Sequence, residues 1–322
     1  MSERSFHLVR ETRNPILAAD PAHDWEATAV MNPSVLLDGL RRHMLYRALG
    51  EHNIVRPSGK LYHTSSIGYA QSQDGLNFTR RAEPFLAPAP GDSAIGFEDP
   101  RITRLDGEDY LFYTSVSFGE GGDLRVQIAG ARCHDFANVT KLGLVPFQEI
   151  WRFKAAALFP ERIGGRLGFL YTAGANSPAS TIYYLEADSI EDLFDPLELA
   201  VLDKTAILSP TAGAGRSPEL GAVPLRTSEG WLLIYCPESY RKEWTIGAAL
   251  LDLKDPRRVL AKSTTPLLVP QEDYELEGYV DNMAFPEGAI IEGDELSVYY
   301  GGGDRGVCLA RGSLKELLSS LR

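Results

Sequence analysis

The chain has 322 residues, of which 44% are apolar and 24% charged, a composition typical of a globular protein with a large core rather than of a disordered chain. Its formal net charge of −12 at pH 7, with no cluster of basic residues, excludes a protein built to bind nucleic acid. No run approaches the roughly 18 apolar residues that span a bilayer, and the amino terminus lacks the apolar segment of a secretory signal. We therefore expect a cytoplasmic protein that does not bind membranes.

The cysteines and histidines do not form a metal-binding pattern. Cys133, Cys236 and Cys308 lie far apart, are odd in number and include no C-x-x-C pair. This spacing favours buried thiols over a disulfide framework or a structural zinc site. The few histidines also lack ligand spacing, so no metal and no other cofactor is expected.

A short aromatic strand recurs five times along the chain, at intervals of roughly 60 residues, in the range of repeat proteins. Each copy follows a turn signal and precedes another strand-like run. About a dozen residues upstream of each copy stands a proline, which is expected to open the preceding strand. The aromatic phrases are MLYRA at Tyr46, LFYTS at Tyr113, FLYTA at Tyr171, LIYCP at Tyr235 and VYYGG at Tyr300. Their prolines are Pro33, Pro100, Pro160, Pro218 and Pro286.

This repeat predicts an all-β fold, a five-bladed β-propeller. One unit of three or four strands cannot bury both of its faces, whereas a closed ring of units buries them and leaves only short edges. Residues 1–322 are expected to form a single catalytic domain, in which the amino-terminal segment closes the last blade. The only convincing helical segment is SLKELLSSLR at the carboxyl terminus.

The prolines also predict which side chains face the propeller axis. Because side chains alternate along a strand, the residues on either side of each proline are expected to lie on one face and line a polar central funnel suited to a sugar. These pairs are Asn32 and Ser34, Asp99 and Arg101, Phe159 and Glu161, Ser217 and Glu219, and Phe285 and Glu287.

The segment GFEDPRIT, residues 96–103, is the strongest local indication of a site. A turn would use one acid, whereas this segment places Glu98 and Asp99 beside Arg101. An aspartate before a proline is also common in turns, and the arginine could simply pair with either acid. From the residues alone, both interpretations stay open.

Several motifs resemble glycoside hydrolase family 130, the β-mannoside phosphorylases and β-mannosidases. FEDPRIT, KAAALFPERIGG, YELEGYVDNMAFPEG and VYYGGGDRGVCLA match that family in order and across nearly the whole chain. The resemblance implies a five-bladed propeller, a small oligosaccharide substrate and a general acid at Asp99. It also implies that Asn32, Arg47 and Asp304 hold mannose in the cleavage subsite.

The family's phosphorylases bind inorganic phosphate through a basic cluster that is incomplete in this chain. Lys154 matches the family's lysine, but the phrase around Thr172 lacks the expected arginine and Cys236 stands in place of a histidine. Because a phosphate dianion needs several fixed donors, we expect inverting hydrolysis of short β-mannosides as the main reaction. The alternative is a phosphorylase that forms mannose 1-phosphate, with Lys154, Arg125 and Arg241 binding the anion.

Inverting hydrolysis also needs a general base, about 6.5–9.5 Å from the acid. Glu219 lies on the predicted inner strand of another blade and Glu238 follows the missing histidine, so both are candidates and Glu219 is slightly preferred. A noncatalytic carbohydrate-binding propeller is a third interpretation, and a homo-oligomer is compatible with the sequence. Further substrate contacts are expected from Glu98, Arg101, Arg125 and Tyr240.

Overall fold

The computed structural model describes residues 6–55, 59, 61–89, 92–120, 122–147, 152–175, 177–211, 217–237, 239 and 243–321. Within these residues the strands form five antiparallel sheets of four or five strands each. The sheets are the blades of a five-bladed β-propeller, which confirms the predicted fold class. That the whole chain acts as one catalytic domain stays a prediction.

Each blade begins with its innermost strand, except that two amino-terminal strands, β1 (Val9–Arg10) and β2 (Leu17–Ala18), belong to the last blade. Blade 1 contains β3 (Ala29–Asp38), β4 (Arg41–Val55), β5 (Leu61–Ser72) and β6 (Thr79–Arg80). Blade 2 contains β7 (Ala94–Leu105), β8 (Glu108–Phe118), β9 (Leu124–His134) and β10 (Asn138–Leu144). Blade 3 contains β11 (Phe153–Leu158), β12 (Leu167–Ala173), β13 (Thr181–Ala187) and β14 (Thr205–Leu208).

Blade 4 contains β15 (Glu219–Leu220), β16 (Leu225–Arg226), β17 (Trp231–Cys236), β18 (Gly247–Leu251) and β19 (Val259–Lys262). Blade 5 contains β20 (Ala284–Glu292), β21 (Glu295–Gly302) and β22 (Gly306–Ser313). The α-helices of the described residues are short: α1 (Pro196–Val201), α2 (Asp273–Leu276) and α3 (Leu314–Ser320). The last of these is the helix predicted at the carboxyl terminus.

The amino-terminal segment closes the ring, as predicted. Val9 of β1 lies opposite Arg311 of β22, and Leu17 of β2 lies opposite Val307. Blade 5 therefore takes its outer strands from one end of the chain and its inner strands from the other. This arrangement covers the edge of β22, which would otherwise be exposed to pairing with another chain.

The aromatic phrases form the second strand of every blade and supply much of the core. Their tyrosines are buried, with exposed fractions of 4% or less. The apolar residues of these strands fill the space between neighbouring blades, for example where Phe112 of blade 2 meets Phe169 of blade 3. The β-branched and aromatic content that identified these strands in the sequence thus serves to pack one blade on the next.

Three of the five prolines lie inside the innermost strands rather than at their beginnings. The strand register shifts between Met31 and Ser34, between Glu98 and Arg101, and again at Pro286. These shifts are β-bulges, at which a residue leaves the ladder, so a proline without an N–H group is tolerated there. The bulges, not the strand starts, bring residues such as Asp99 to the axis.

The proline alignment is wrong for blade 3. Strand β11 ends at Leu158, before Pro160. Phe159 packs edge-on against Trp231, with ring centroids 5.0 Å apart, in the core between blades 3 and 4. Glu161 forms an ion pair with Arg226 at the surface. Neither residue faces the axis, because the bulge of this blade lies upstream, between Lys154 and Ala157.

The remaining expectations about the chain concern its thiols and membranes. All three cysteines are buried and unbonded to one another, as predicted. None of the helices that the structure describes is long and apolar enough to cross a bilayer. The cytoplasmic location stays a prediction.

Candidate active site

The inner strands turn polar side chains toward the axis at positions with an unusual backbone. Asn32 and Asp99 lie in the bulges of blades 1 and 2 with φ angles of +52° and +53°, and Asp304 lies between β21 and β22 with a φ of +49°. This left-handed conformation is costly for most side chains, but asparagine and aspartate adopt it more readily. Residues held in such conformations tend to cluster at functional sites.

Asp99 is buried at the centre of a charged cluster. Asn32 Nδ2 donates to Asp99 Oδ1 at 2.6 Å, and Lys154 Nζ donates to Oδ2 at 2.9 Å. Arg47 Nη1 lies 3.4 Å from Oδ1. Burial by itself would raise the pKa of Asp99, but Lys154 and Arg47 outweigh burial and hold the pKa well below its usual range. The carboxyl group is therefore ionised in the unliganded protein.

Glu98 holds the same two cations from the other side. Arg47 Nη2 and the Tyr62 hydroxyl each donate to Glu98 Oε1 at 2.8 Å. Lys154 Nζ lies 3.3 Å from Oε2, so this lysine bridges both carboxylates. Burial alone would lower the pKa of Lys154, but Asp99 and Glu98 raise it above its usual value. The lysine therefore stays charged although it is largely buried.

Two buried oxygens beside the cluster lack a partner within the described residues, Asn32 Oδ1 and Asp304 Oδ1. Both face Gly301: a Cβ atom there would lie 3.1 Å from the first and 3.5 Å from the second. Burial raises the pKa of Asp304 to about 6, with Arg47 opposing the shift and Asp99 adding to it. Unsatisfied buried polar atoms mark a place where a polar ligand would bind.

Arg101 does not lie where the sequence placed it. Its side chain is fully buried, and its guanidinium group donates to the main-chain carbonyls of Gly221 at 2.7 Å, Leu220 at 2.9 Å and Asp99 at 3.0 Å. All of these contacts lie within the protein, so the structure adds no support for a substrate contact by Arg101, which stays a prediction. Alternation along the strand correctly turned the side chain inward but did not reveal how deep it lies.

Blade 4 contributes Glu219, which is 6% exposed and lies opposite Cys236 in the ladder. Arg125 is exposed at the beginning of β9, opposite Ser117, and no hydrogen bond or ion pair within the described residues joins it to the Asp99 cluster. Glu238, Tyr240 and Arg241 lie outside the described residues. The roles predicted for these residues stay predictions.

The two positions that depart from the family's basic cluster are packed into the protein. Thr172 is fully buried, and its hydroxyl oxygen accepts a hydrogen bond from the Leu220 N–H at 3.0 Å. Cys236 is fully buried in a cluster with Trp244 and Phe285. Thr172 thus joins blade 3 to blade 4, and Cys236 packs between blades 4 and 5.

Comparisons with known proteins agree with this arrangement. The sequence profile of glycoside hydrolase family 130, described as beta-1,4-mannooligosaccharide phosphorylase, matches residues 17–322. The chain belongs to glycoside hydrolase family 130. It is a glycoside-active enzyme, as the motifs indicated.

Relatives within family 130 cover almost the whole chain. A beta-1,2-mannobiose phosphorylase of Thermoanaerobacter sp. (strain X514) is 34% identical over 310 residues, 95% of this chain and 97% of its own. A 1,2-beta-oligomannan phosphorylase of the same strain is 31% identical over 314 residues, 96% of this chain and 98% of its own. The solved structure of the beta-1,2-mannobiose phosphorylase from Listeria innocua with beta-1,2-mannobiose has a TM-score of 0.81 at 25% identity, covering 98% of this chain and 99% of that chain.

These family 130 relatives do not support hydrolysis as the main reaction and fit the phosphorylase alternative better. The expectation of hydrolysis depended on the absence of an arginine and a histidine at Thr172 and Cys236. That argument assumed that an anion site needs those two positions. It gave too little weight to the cations that remain, Lys154 and Arg47, which the fold brings to Asp99.

The sequence reasoning missed the pairing of Tyr62 with Glu98 and the importance of Glu287. Tyr62 was given no role, because no sequence spacing links it to an acid 36 residues away. Glu287 was expected to face the axis but received no role. It is 1% exposed, and its Oε1 lies 3.2 Å from Arg101 Nη2. The signal was its place after Pro286, which matches the place of Arg101 after Pro100.

Proposed function

We propose that this family 130 enzyme is a β-mannoside phosphorylase that cleaves short β-1,2-linked mannosides with inorganic phosphate and releases mannose 1-phosphate. The observation that carries the proposal is the contact of 2.9 Å between Lys154 Nζ and Asp99 Oδ2. The lysine that resembles the family's phosphate ligand thus lies directly on the residue that resembles its general acid. The names of the curated relatives support both the reaction and the linkage.

In this proposal the mannose unit binds between blades 1 and 5. Asn32 Oδ1 and Asp304 Oδ1 accept hydrogen bonds from sugar hydroxyls, since neither oxygen has another partner within the described residues. Arg47 lies beside them, and its hydrogen bond to Glu98 holds its charged group in place. The bound sugar satisfies polar atoms whose burial is otherwise unfavourable.

The chemical step is a single displacement with inversion. A phosphate oxygen attacks the anomeric carbon while the bond from that carbon to the oxygen of the leaving sugar breaks. Asp99 transfers a proton to that leaving oxygen, either directly or through a substrate hydroxyl. The products are mannose 1-phosphate and a sugar shortened by one unit.

Lys154 couples the two substrates in this scheme. In the unliganded protein its ammonium group stabilises ionised Asp99, which in that state has no proton to give. A phosphate dianion attracts the same ammonium group and adds a negative charge near the acid. Both effects raise the pKa of Asp99, so the carboxyl group takes up a proton from solvent when phosphate binds and can then transfer that proton to the leaving oxygen.

Product analysis on β-1,2-mannobiose, with and without phosphate, tests the proposal. We expect mannose 1-phosphate to form at a rate that rises with phosphate concentration, and little cleavage without phosphate. Lys154→Met should raise the KM for phosphate roughly 10-fold to 100-fold, the worth of one charged hydrogen bond. Lys141→Met is the matched control, because that lysine pairs with Asp92 on an exposed surface.

Two outcomes contradict the proposal. Release of free mannose at the full rate in phosphate-free buffer would make the protein a hydrolase, with Glu219 as its candidate base. Binding of mannobiose without cleavage under either condition would make it a carbohydrate-binding propeller.

A further inference from the structure

Arg101 joins three blades at the axis. It lies on β7 of blade 2, donates to the carbonyls of Leu220 and Gly221 in blade 4, and lies 3.2 Å from Glu287 of blade 5. A fully buried guanidinium group is costly unless its donors are satisfied. Here the guanidinium N–H groups donate to main-chain carbonyls around the site, which points to a role in holding that main chain in position.

We propose that Arg101 is a positioning residue, which fixes the main chain at Asp99 and thereby aims the carboxyl group of the general acid. Asp99 and Pro100 lie in the bulge, where they have no partners in the ladder with β8. The φ of +53° places Asp99 in the left-handed region, a conformation that persists only where the surrounding structure holds it. The bond from Arg101 Nη1 to the Asp99 carbonyl, at 3.0 Å, takes the place of the missing ladder contacts.

The same guanidinium group also fixes the wall opposite the acid. Both main-chain groups of Leu220 are held, since its carbonyl accepts from Arg101 and its N–H donates to Thr172. Gly221 has no room for a side chain, because a Cβ atom would lie 2.4 Å from the Ile234 carbonyl oxygen. Arg101 therefore sets the position of the strand that begins at Glu219 relative to Asp99.

Glu287 is the carboxyl group nearest to Arg101 on blade 5, with its Oε1 3.2 Å from Nη2. Its carboxyl group makes no hydrogen bond within the described residues, and burial raises its pKa well above the usual value although Arg101 opposes the shift. The raised pKa favours the neutral form of Glu287, which weakens its pairing with Arg101. Arg101 accordingly contributes, after Lys154 and Arg47, to the low pKa of Asp99.

This inference rests on the proposed function, because it takes Asp99 as the general acid. Its test compares a substrate that needs protonation of the leaving oxygen, β-1,2-mannobiose, with one that needs little, 2,4-dinitrophenyl β-mannoside. We expect Arg101→Met to lower kcat for mannobiose about 100-fold, within the range for a general acid, with little change in KM. The loss on the dinitrophenyl substrate should be less than about tenfold, since a good leaving group depends less on the acid.

Lysine at position 101 keeps the charge but can bond to fewer carbonyls than arginine. Arg101→Lys should therefore have a kcat for mannobiose between those of Arg101→Met and the native enzyme. Arg10→Met is the matched control. Arg10, at the outer edge of blade 5, also bonds to both a carboxylate and a main-chain carbonyl: it donates to Glu275 at 2.8 Å and to the Val269 carbonyl at 2.6 Å. Arg10→Met should lower the melting temperature of the protein without changing the ratio of kcat for mannobiose to kcat for the dinitrophenyl substrate. If Arg101→Met does not fold, Arg101→Lys carries the comparison.

The outcomes separate this inference from the proposed function. If the native enzyme cleaves both substrates and the Arg101 variants keep its ratio of rates, Arg101 does not position the acid. If the native enzyme cleaves neither substrate with phosphate, the proposed function fails instead.

Discussion

Asp304 should make the protein less stable at neutral pH than in mild acid, and Asp304→Asn should remove that cost. Burial raises the pKa of this carboxyl group from an ordinary value of 3.8 to about 6. Between these values the folded protein binds more protons than the unfolded chain, so stability falls as pH rises from about 4 through 6 and is level above that. The difference corresponds to about 3 kcal/mol at pH 8.

The assay is urea denaturation of the native protein and the Asp304→Asn variant at pH 4.5 and at pH 8. Asparagine has the same shape but no charge. Because about 1 kcal/mol of the cost is already present at pH 4.5, the variant should gain about 2 kcal/mol relative to the native protein between the two pH values. Comparing the two pH values cancels any pH-independent effect of the substitution on packing. Asp24→Asn, at an exposed aspartate, controls for the general effect of removing one negative charge.

A gain of the same size at both pH values would refute the reasoning. It would mean that Asp304 is not held in a site that penalises its charge, and that substrate binding gains nothing by relieving it. The variant should also lose mannoside affinity, so added stability and lost function are expected together.

Two further predictions concern the cleavage site. Asp99→Asn should lower turnover by about 2–4 orders of magnitude without unfolding the protein, measured by steady-state kinetics alongside thermal denaturation; near-native turnover would remove Asp99 from the mechanism. Gly301→Ala should raise the KM for mannobiose roughly tenfold, because its Cβ atom would lie 3.1 Å from Asn32 Oδ1 where a sugar hydroxyl is expected. An unchanged KM would place the sugar elsewhere.

The fold could be predicted because each blade repeats the same local chemistry. An aromatic strand must bury its apolar face against a neighbouring sheet. Five such strands are therefore each buried when five blades close into a ring. The inward position of Asp99 followed from the same pattern. Pro160 misled the alignment of blade 3, because a proline reports only where a ladder hydrogen bond is absent, and a residue just past the strand end meets that condition as well as a bulge does.

The site was harder to predict where a residue's environment comes from distant parts of the chain. Arg101 and Asp99 are two positions apart and share a face of the strand. Arg101 is nevertheless buried against main-chain carbonyls of blade 4, whereas Asp99 lies in the cluster of charged side chains. What separates them is the approach of Leu220 and Gly221, about 120 residues later in the chain. In the same way, the loss of two basic positions was visible, whereas the contact of Lys154 with both acids exists only once blades 2 and 3 have met.

The closure of blade 5 has a consequence for the timing of synthesis. Val9 pairs with Arg311, so the first strand must wait until some 300 further residues have left the ribosome. At 5–20 residues per second, this interval lasts about 15–60 s. During it, Phe6 and Leu8, which pack against residues of blades 4 and 5 in the finished ring, lack those partners. We expect this stretch of the nascent chain to be a binding site for chaperones, and sugar cleavage to begin only after the last blade has been made.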